Sequence, residues 1–294
     1  MTSTETRHET VPAPLILLGA MVAFQLGGAL GAKVLPELGT AGAAFARNAV
    51  ATAVLAAVAR PSLSALRGRH AEVAIVALSV AGMNLAFYAA IARIPLAAVV
   101  TISFVGPLTV AVVGSRHRRD LLWAVMAFCG VALFGGFPGG AALDPAGILF
   151  ACVDGCCWGV YAVMMQRVAR GIPGLQGLTM TTAAATVLLA VPVAIAPPPG
   201  PIDAGTATLG VAIGALTAIP YALEFLALRM MRAATYGVLV SLEPAIAVIV
   251  GILLLGQTPS VAEIAAIGLV VTASVGASRS AASDGQGSAQ KGER

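Results

Sequence analysis

Charge is what this chain has least of. Only 10% of its residues are Asp, Glu, Lys or Arg, against roughly 25% in soluble domains, so it cannot cover a globule in water with polar surface. Histidine is scarce too. His8, His70 and His117 all fall in tail or loop positions, so no metal or triad cluster can be assembled from them. No P-loop, HExxH or GxSxG pattern occurs, which argues against a nucleotide site, ATP-driven pumping within this chain and the commonest hydrolase chemistries. The net charge of +4 comes with no basic run long enough to track a phosphate backbone, so nucleic acid is not an expected partner. The four cysteines, Cys129, Cys152, Cys156 and Cys157, lie inside apolar runs. They are expected as small packed helix residues, not as disulfides or, with Asp154, as a metal site.

What the chain does have is 59% hydrophobic residues and a mean hydropathy of +0.93. Lipid must therefore be the solvent for most of it. A membrane helix needs roughly 20 mostly apolar residues. The hydropathy pattern places spans at about 14–34, 40–59, 71–91, 95–114 and 120–137, then 146–166, 175–196, 206–228, 234–255 and 260–278. The run from Leu15 to Leu35 is too long for a signal-peptide core and reads as the first span. A Gly/Pro-rich break, Gly135 to Gly140, separates two sets of five. A polar stretch, 1–13, precedes them, and a Ser/Gly-rich tail, 279–294, is expected to be disordered.

The basic residues test this layout independently. With the amino terminus in the cytoplasm, fourteen of the 17 Lys and Arg fall in cytoplasmic segments. Lys33 and Arg93 alone fall in outward loops, and Arg47 lies within a span. Such an alternation fits the positive-inside rule with ten spans and both termini in the cytoplasm. An internal repeat is also visible. IPLAAVVTISFVGPLTVAVVG, Ile94 to Gly114, parallels AATYGVLVSLEPAIAVIVG, Ala233 to Gly251, and Pro107 and Pro244 align 137 residues apart. An odd number of spans per copy forces the second copy to enter from the other side. Inverted repeats of this kind serve alternating access in secondary transporters.

An ionisable group at the bilayer centre costs at least about 2.5–3.5 kcal/mol on insertion scales, so the few present are the default functional candidates. Glu243 lies about 9 residues, or roughly 14 Å, into the ninth span and is followed by Pro244, which frees a carbonyl and kinks a helix. It is a candidate for proton coupling or substrate binding, or else a structural carboxylate. Glu224, with Tyr221 one turn before it, sits nearer the cytoplasmic end and could instead snorkel to the interface. Arg47, beside Asn48, needs an acid, backbone carbonyls or an anionic ligand. Asp154, Trp158 and Tyr161 form one stripe on the sixth span, and Asn84 and Tyr88 another on the third. Gln25 is the lone polar group of the first. Pro107 and Pro244 are the candidate hinges.

In order and spacing, Ala81-Gly82-Met83-Asn84, Phe104-Val105-Gly106-Pro107-Leu108, Cys157-Trp158-Gly159, Pro220-Tyr221-Ala222-Leu223-Glu224 and Leu242-Glu243-Pro244-Ala245 resemble the drug/metabolite transporter superfamily with its EamA-type domains. More specifically, they resemble the bacterial threonine/homoserine exporters. The likeness runs over about residues 15–278. It implies an all-α membrane protein of ten transmembrane helices in two inverted five-helix repeats, 14–138 and 146–278. It further implies a proton-coupled exporter of small amino acids or related metabolites in the inner membrane, with Glu224 and Glu243 at acids the family also carries. After Leu255-Gly256 relatives often place a glutamate, and here it is Gln257. Efflux of drugs or natural products is the alternative, and a non-transporting scaffold is the rival of another class. An enzyme and a cofactor are not expected. The expected partners are a small-molecule substrate, protons and the lipid bilayer, and the chain could pair as a homodimer.

The charge asymmetry sets a test. Reporter fusions after Arg119 and Arg170 should read cytoplasmic, and fusions near Asp144 and Asp203 external. An external signal after Arg119 would end the ten-span layout.

Overall fold

A computed structural model describes residues 13–113, 118–134, 143–230, 236 and 239–292. Every regular element among them is helical: α1 (Ala13–Lys33), α2 (Leu35–Ala59), α3 (His70–Ile91), α4 (Leu96–Val113), α5 (Arg118–Phe134), α6 (Pro145–Gly171), α7 (Gln176–Ile195), α8 (Ala204–Met230), α9 (Glu243–Leu255) and α10 (Val261–Gly292), with a 3-10 turn at Leu63–Leu66. Helices are what hydrocarbon permits, because each satisfies its own backbone hydrogen bonds. Among the described residues, α1, α2, α3, α6, α7 and the first 21 residues of α8 are long and apolar enough to cross a membrane. The apolar parts of α4, α5, α9 and α10 are shorter. The outside of the bundle is apolar as well: Val113, Phe128, Val187, Ile195 and Leu253 are each more than 70% exposed. An apolar surface of that extent belongs against lipid.

The helices fall close to the expected spans, with informative differences. The weak stretch Gly31 to Gly42 resolves into a kink: α2 begins at Leu35, but Gly39 takes a positive φ of 65°, and regular helix follows it. Gly200 N–H donates to the Glu37 carbonyl at 3.0 Å and holds that corner. Asp144 caps α6 by accepting from Ala146 N–H at 2.9 Å. Asp203 does the same for α8 through Thr206 N–H at 2.7 Å, a bond that holds its carboxyl below the usual carboxylate range. The expected break at 135–140 lies outside the described residues.

Three expectations need correcting. The tail is helical rather than disordered, since α10 continues to Gly292; extending an anchored helix adds one hydrogen bond per residue fixed, without a new nucleus. The ninth span is interrupted, with Ser241 and Leu242 in a turn and α9 starting at Glu243. Pro244 explains the start, because a residue without an N–H fits a first turn and not a helix interior. Cys129, Cys152 and Cys156 are exposed, and only Cys157 is half-buried. In lipid an apolar run has no reason to face inward, so hydropathy does not distinguish the two faces.

Packing pairs α1 with α8, α3 with α6, α4 with α6, α1 with α9, α2 with α8, α3 with α7, α2 with α7, α4 with α9 and α5 with α10. Exchanging each helix with the one five places away turns these pairs into one another, whereas the comparable α4–α10 contact has no such counterpart among the described residues. Two contacts pin the centre. Asn48 Nδ2 on α2 donates to the Thr182 carbonyl and to Thr186 Oγ1 on α7, both at 2.8 Å, and Thr52 joins Thr186 at 3.1 Å. On the other side α4 and α6 touch through backbone. A Cβ added at Gly106 would lie 1.8 Å from the Gly155 carbonyl oxygen, and one at Gly155 would lie 2.7 Å from the Ser103 carbonyl oxygen. Small residues permit this approach, from which membrane helices draw their van der Waals attraction.

Gly106→Ala should therefore lower the thermal stability of the purified chain in detergent, by about 2–3 kcal/mol, the upper range for overpacking. Gly268→Ala is the control, since nothing lies within 4 Å of a Cβ there. Equal melting of the two variants would show that α4 and α6 do not cross at these glycines.

Candidate functional site

All eight polar and aromatic candidates, Gln25, Arg47, Asn84, Asp154, Trp158, Tyr221, Glu224 and Glu243, line one cavity of about 900 Å³, its mouth included. They reach it from α1, α2, α3, α6, α8 and the start of α9. Leu17, Met21, Phe24, Met83, Phe87 and Val240 supply apolar wall between them. Both Asp154 and Glu243 are buried, at 4% and 8% exposure.

Each polar group is placed by a local cause. Asp154 faces the Gly106–Gly155 crossing, where the close approach of α4 brings Ser103 Oγ to 2.6 Å from Asp154 Oδ2, and the hydroxyl donates to it. Glu243 occupies the first turn of α9, where the helix dipole favours an anion. Gln25 Nε2 donates to its backbone carbonyl at 3.4 Å and ties α1 to the interruption. Glu224 does not snorkel: it faces the cavity and accepts a hydrogen bond from the Tyr236 hydroxyl. Asn84 Nδ2 turns back on its own helix, to the Val80 carbonyl at 2.8 Å. Trp158 meets Phe104 edge-on at 5.5 Å, and Tyr221 lies 5.9 Å from Phe24. Arg47 is 3% exposed and sits over the rings of Phe24, Phe87 and Tyr88, at 4.6, 5.5 and 5.9 Å. The ion pair to a buried acid, open from sequence, is not formed: the two ion pairs among the described residues, Arg69–Glu72 and Arg93–Asp144, do not include it.

Pro244 begins α9 and is buried, whereas Pro107 lies inside a continuous α4. The two aligned prolines thus stand in different backbone settings. Among the described residues no group of His, Cys, Asp or Glu could hold a metal ion.

Threonine/homoserine exporter RhtA of Salmonella typhimurium is 34% identical to this chain over 274 residues, which cover 89% of this chain and 90% of the relative. RhtA of Escherichia coli K12 is 33% identical over the same share. The EamA-like transporter family profile matches residues 145–279. The chain belongs to the EamA-like transporter family. A solved crystal structure with 21% identity and a TM-score of 0.62 covers 92% of this chain and 97% of its own, a likeness of fold. As an EamA-like protein the chain is a membrane transporter, and its polar residues gather on one cavity among α1, α2, α3, α6, α8 and α9.

Sequence reasoning missed Ser103, Tyr236 and the aromatic cage of Phe24 and Phe87. Ser103 and Tyr236 lie within the aligned repeat segments, and a buried acid that needs a donor is the signal that could have found both.

Ser103→Ala should cost about 1.5–3 kcal/mol, the range for a hydrogen bond to a charged group. Ser79→Ala, whose hydroxyl bonds the Ile75 carbonyl of its own helix, should cost under about 1 kcal/mol. Thermal unfolding of the two variants side by side measures the difference; equal losses would mean that Asp154 does not depend on Ser103.

Proposed function

We propose that this protein is a secondary transporter of the cell inner membrane that exports threonine- or homoserine-like amino acids by proton antiport. Its ten spans form two inverted five-helix repeats, 14–138 and 146–278, with both termini in the cytoplasm. The observation that carries the reading is the convergence of one guanidinium and three carboxylates on a single cavity, within a chain similar to RhtA over most of its length. The helix contacts that exchange into one another, such as α3–α6 with α1–α8 and α4–α6 with α1–α9, support the repeats.

The position of the cavity supports export. In the proposed orientation α1 enters from the cytoplasm and α8 ends there. Leu17 and Met21, in the first half of α1, and Pro220, Tyr221 and Glu224, in the second half of α8, carry the cavity toward the cytoplasmic side. At the opposite end the α3–α4 corner is closed, with Tyr88, Ala90 and Leu96 fully buried. Gln257 Oε1 accepts from Leu96 N–H at 3.1 Å, which ties the α9–α10 connection to the start of α4. Substrate loads from inside in such a state.

Three acids facing one guanidinium leave an excess of negative charge in a low-dielectric space. A proton or the ammonium group of a substrate balances it, and exchanging one for the other couples the two fluxes. Glu243 is the coupling carboxylate, more enclosed than Glu224 and placed at the interruption of a helix, as coupling groups are in transporters with broken helices. Pro107 and Pro244 act as hinges.

In vesicles, Glu243→Gln should abolish gradient-driven efflux while substrate exchange without a gradient survives, because the amide mimics the protonated acid. Glu224→Gln should be milder. Proton flux and substrate efflux are read together, over a panel that includes threonine, homoserine and lipophilic cations. Unchanged coupled efflux in Glu243→Gln would leave that residue structural; export of the cations alone would replace amino-acid export with drug efflux.

A further inference from the structure

Two buried side-chain atoms have no hydrogen-bond partner among the described residues, Arg47 Nε and the Tyr88 hydroxyl. They belong to neighbours, the guanidinium carbon lying 5.9 Å from the centre of the Tyr88 ring. Native interiors rarely leave such groups unpaired, and each asks for an explanation. Asp154 and Glu243 act on the Arg47 charge across the cavity, but neither hydrogen-bonds its Nε. The rings of Phe24, Phe87 and Tyr88 offset part of the Arg47 charge through their π faces. They also hold the guanidinium in place, and Tyr88 is itself wedged so tightly against α1 that a Cβ on Gly31 would lie 2.6 Å from its hydroxyl.

The missing partner has a definite chemistry. A guanidinium only donates, so what completes it is an acceptor, and its charge asks for an anion. Arg47 lines the cavity, and a planar fork of donors matches the two oxygens of a carboxylate. The other charged groups lining the cavity are Asp154, Glu224 and Glu243. A free anion entering among three acids is repelled unless it brings a cation of its own. A group that carries both is a zwitterion.

We infer that Arg47, held by Phe24, Phe87 and Tyr88, binds the α-carboxylate of the transported amino acid, so that a free carboxylate is the group by which substrates are admitted. This rests on the amino-acid reading above. The acids then take the ammonium end, and the substrate lies across the cavity with its side chain toward the apolar wall.

The test compares ligands that differ only at the carboxylate. Binding of threonine and of threoninamide is measured on the purified full chain, wild type, Arg47→Lys and Arg47→Gln. Wild type should prefer threonine by about ten- to a hundredfold, the range for a charge-assisted hydrogen-bonded pair. The ratio should shrink to about tenfold or less in Arg47→Lys, which keeps the charge and loses the fork, and to about one in Arg47→Gln. Amide binding retained by Arg47→Gln shows that the variant is folded. Equal wild-type affinity for the two ligands overturns the assignment even if neither variant folds, and so does an undiminished ratio in both variants. Failure of wild type to bind either ligand, with transport of another solute, would instead overturn the amino-acid reading itself.

Discussion

A charged side chain in hydrocarbon costs at least about 2.5–3.5 kcal/mol on insertion scales, and this chain carries four at depth: Arg47, Asp154, Glu224 and Glu243. They do not disperse into separate ion pairs. All four face one cavity, where water, one another and a passing solute can answer them. The rest of the bundle makes that concentration tolerable. Glycines let α4 and α6 touch so that Ser103 reaches Asp154. Tyr236 answers Glu224, and the start of α9 gives Glu243 a helix N-terminus to face.

The first five helices and the last five share part of their packing and differ in detail. Many of the helix contacts map onto one another when partners are exchanged, but α4–α10 and α2–α3 have no counterpart of their size among the described residues, and Pro107 sits in unbroken helix while Pro244 opens one. The polar seam of Asn48, Thr52, Thr182 and Thr186 joins α2 to α7, the pair that exchange turns into itself, and so holds the halves together at a place where neither has to differ.

Much of this was legible in the sequence, for a physical reason. Residues such as Glu243 and Asp154 stand out because lipid makes polarity rare, and rarity marks them. The spans were legible because their length is set by bilayer thickness. What escaped was whatever polarity does not mark. Phe24 and Phe87 read as ordinary apolar residues, and their role as a cage exists only once α1, α2 and α3 are brought together. Ser103 is small enough to pass as packing. The outward-facing cysteines were misread because a membrane helix has no polar side to show which way it points. The interruption before α9 was half legible: Pro244 announced a disturbance, but kinking a helix and starting one use the same residue.

Gln257 reaches across one end of the bundle to the first turn of α4. It gets there because Gly256 turns left-handed at the end of α9 and because Gly251 offers no side chain in its way: a Cβ there would lie 2.7 Å from the Gln257 amide oxygen. An amide neither gains nor loses a proton in the physiological range. The clasp is thus indifferent to acidity, and a change of pH at that end of the bundle leaves this contact as it is.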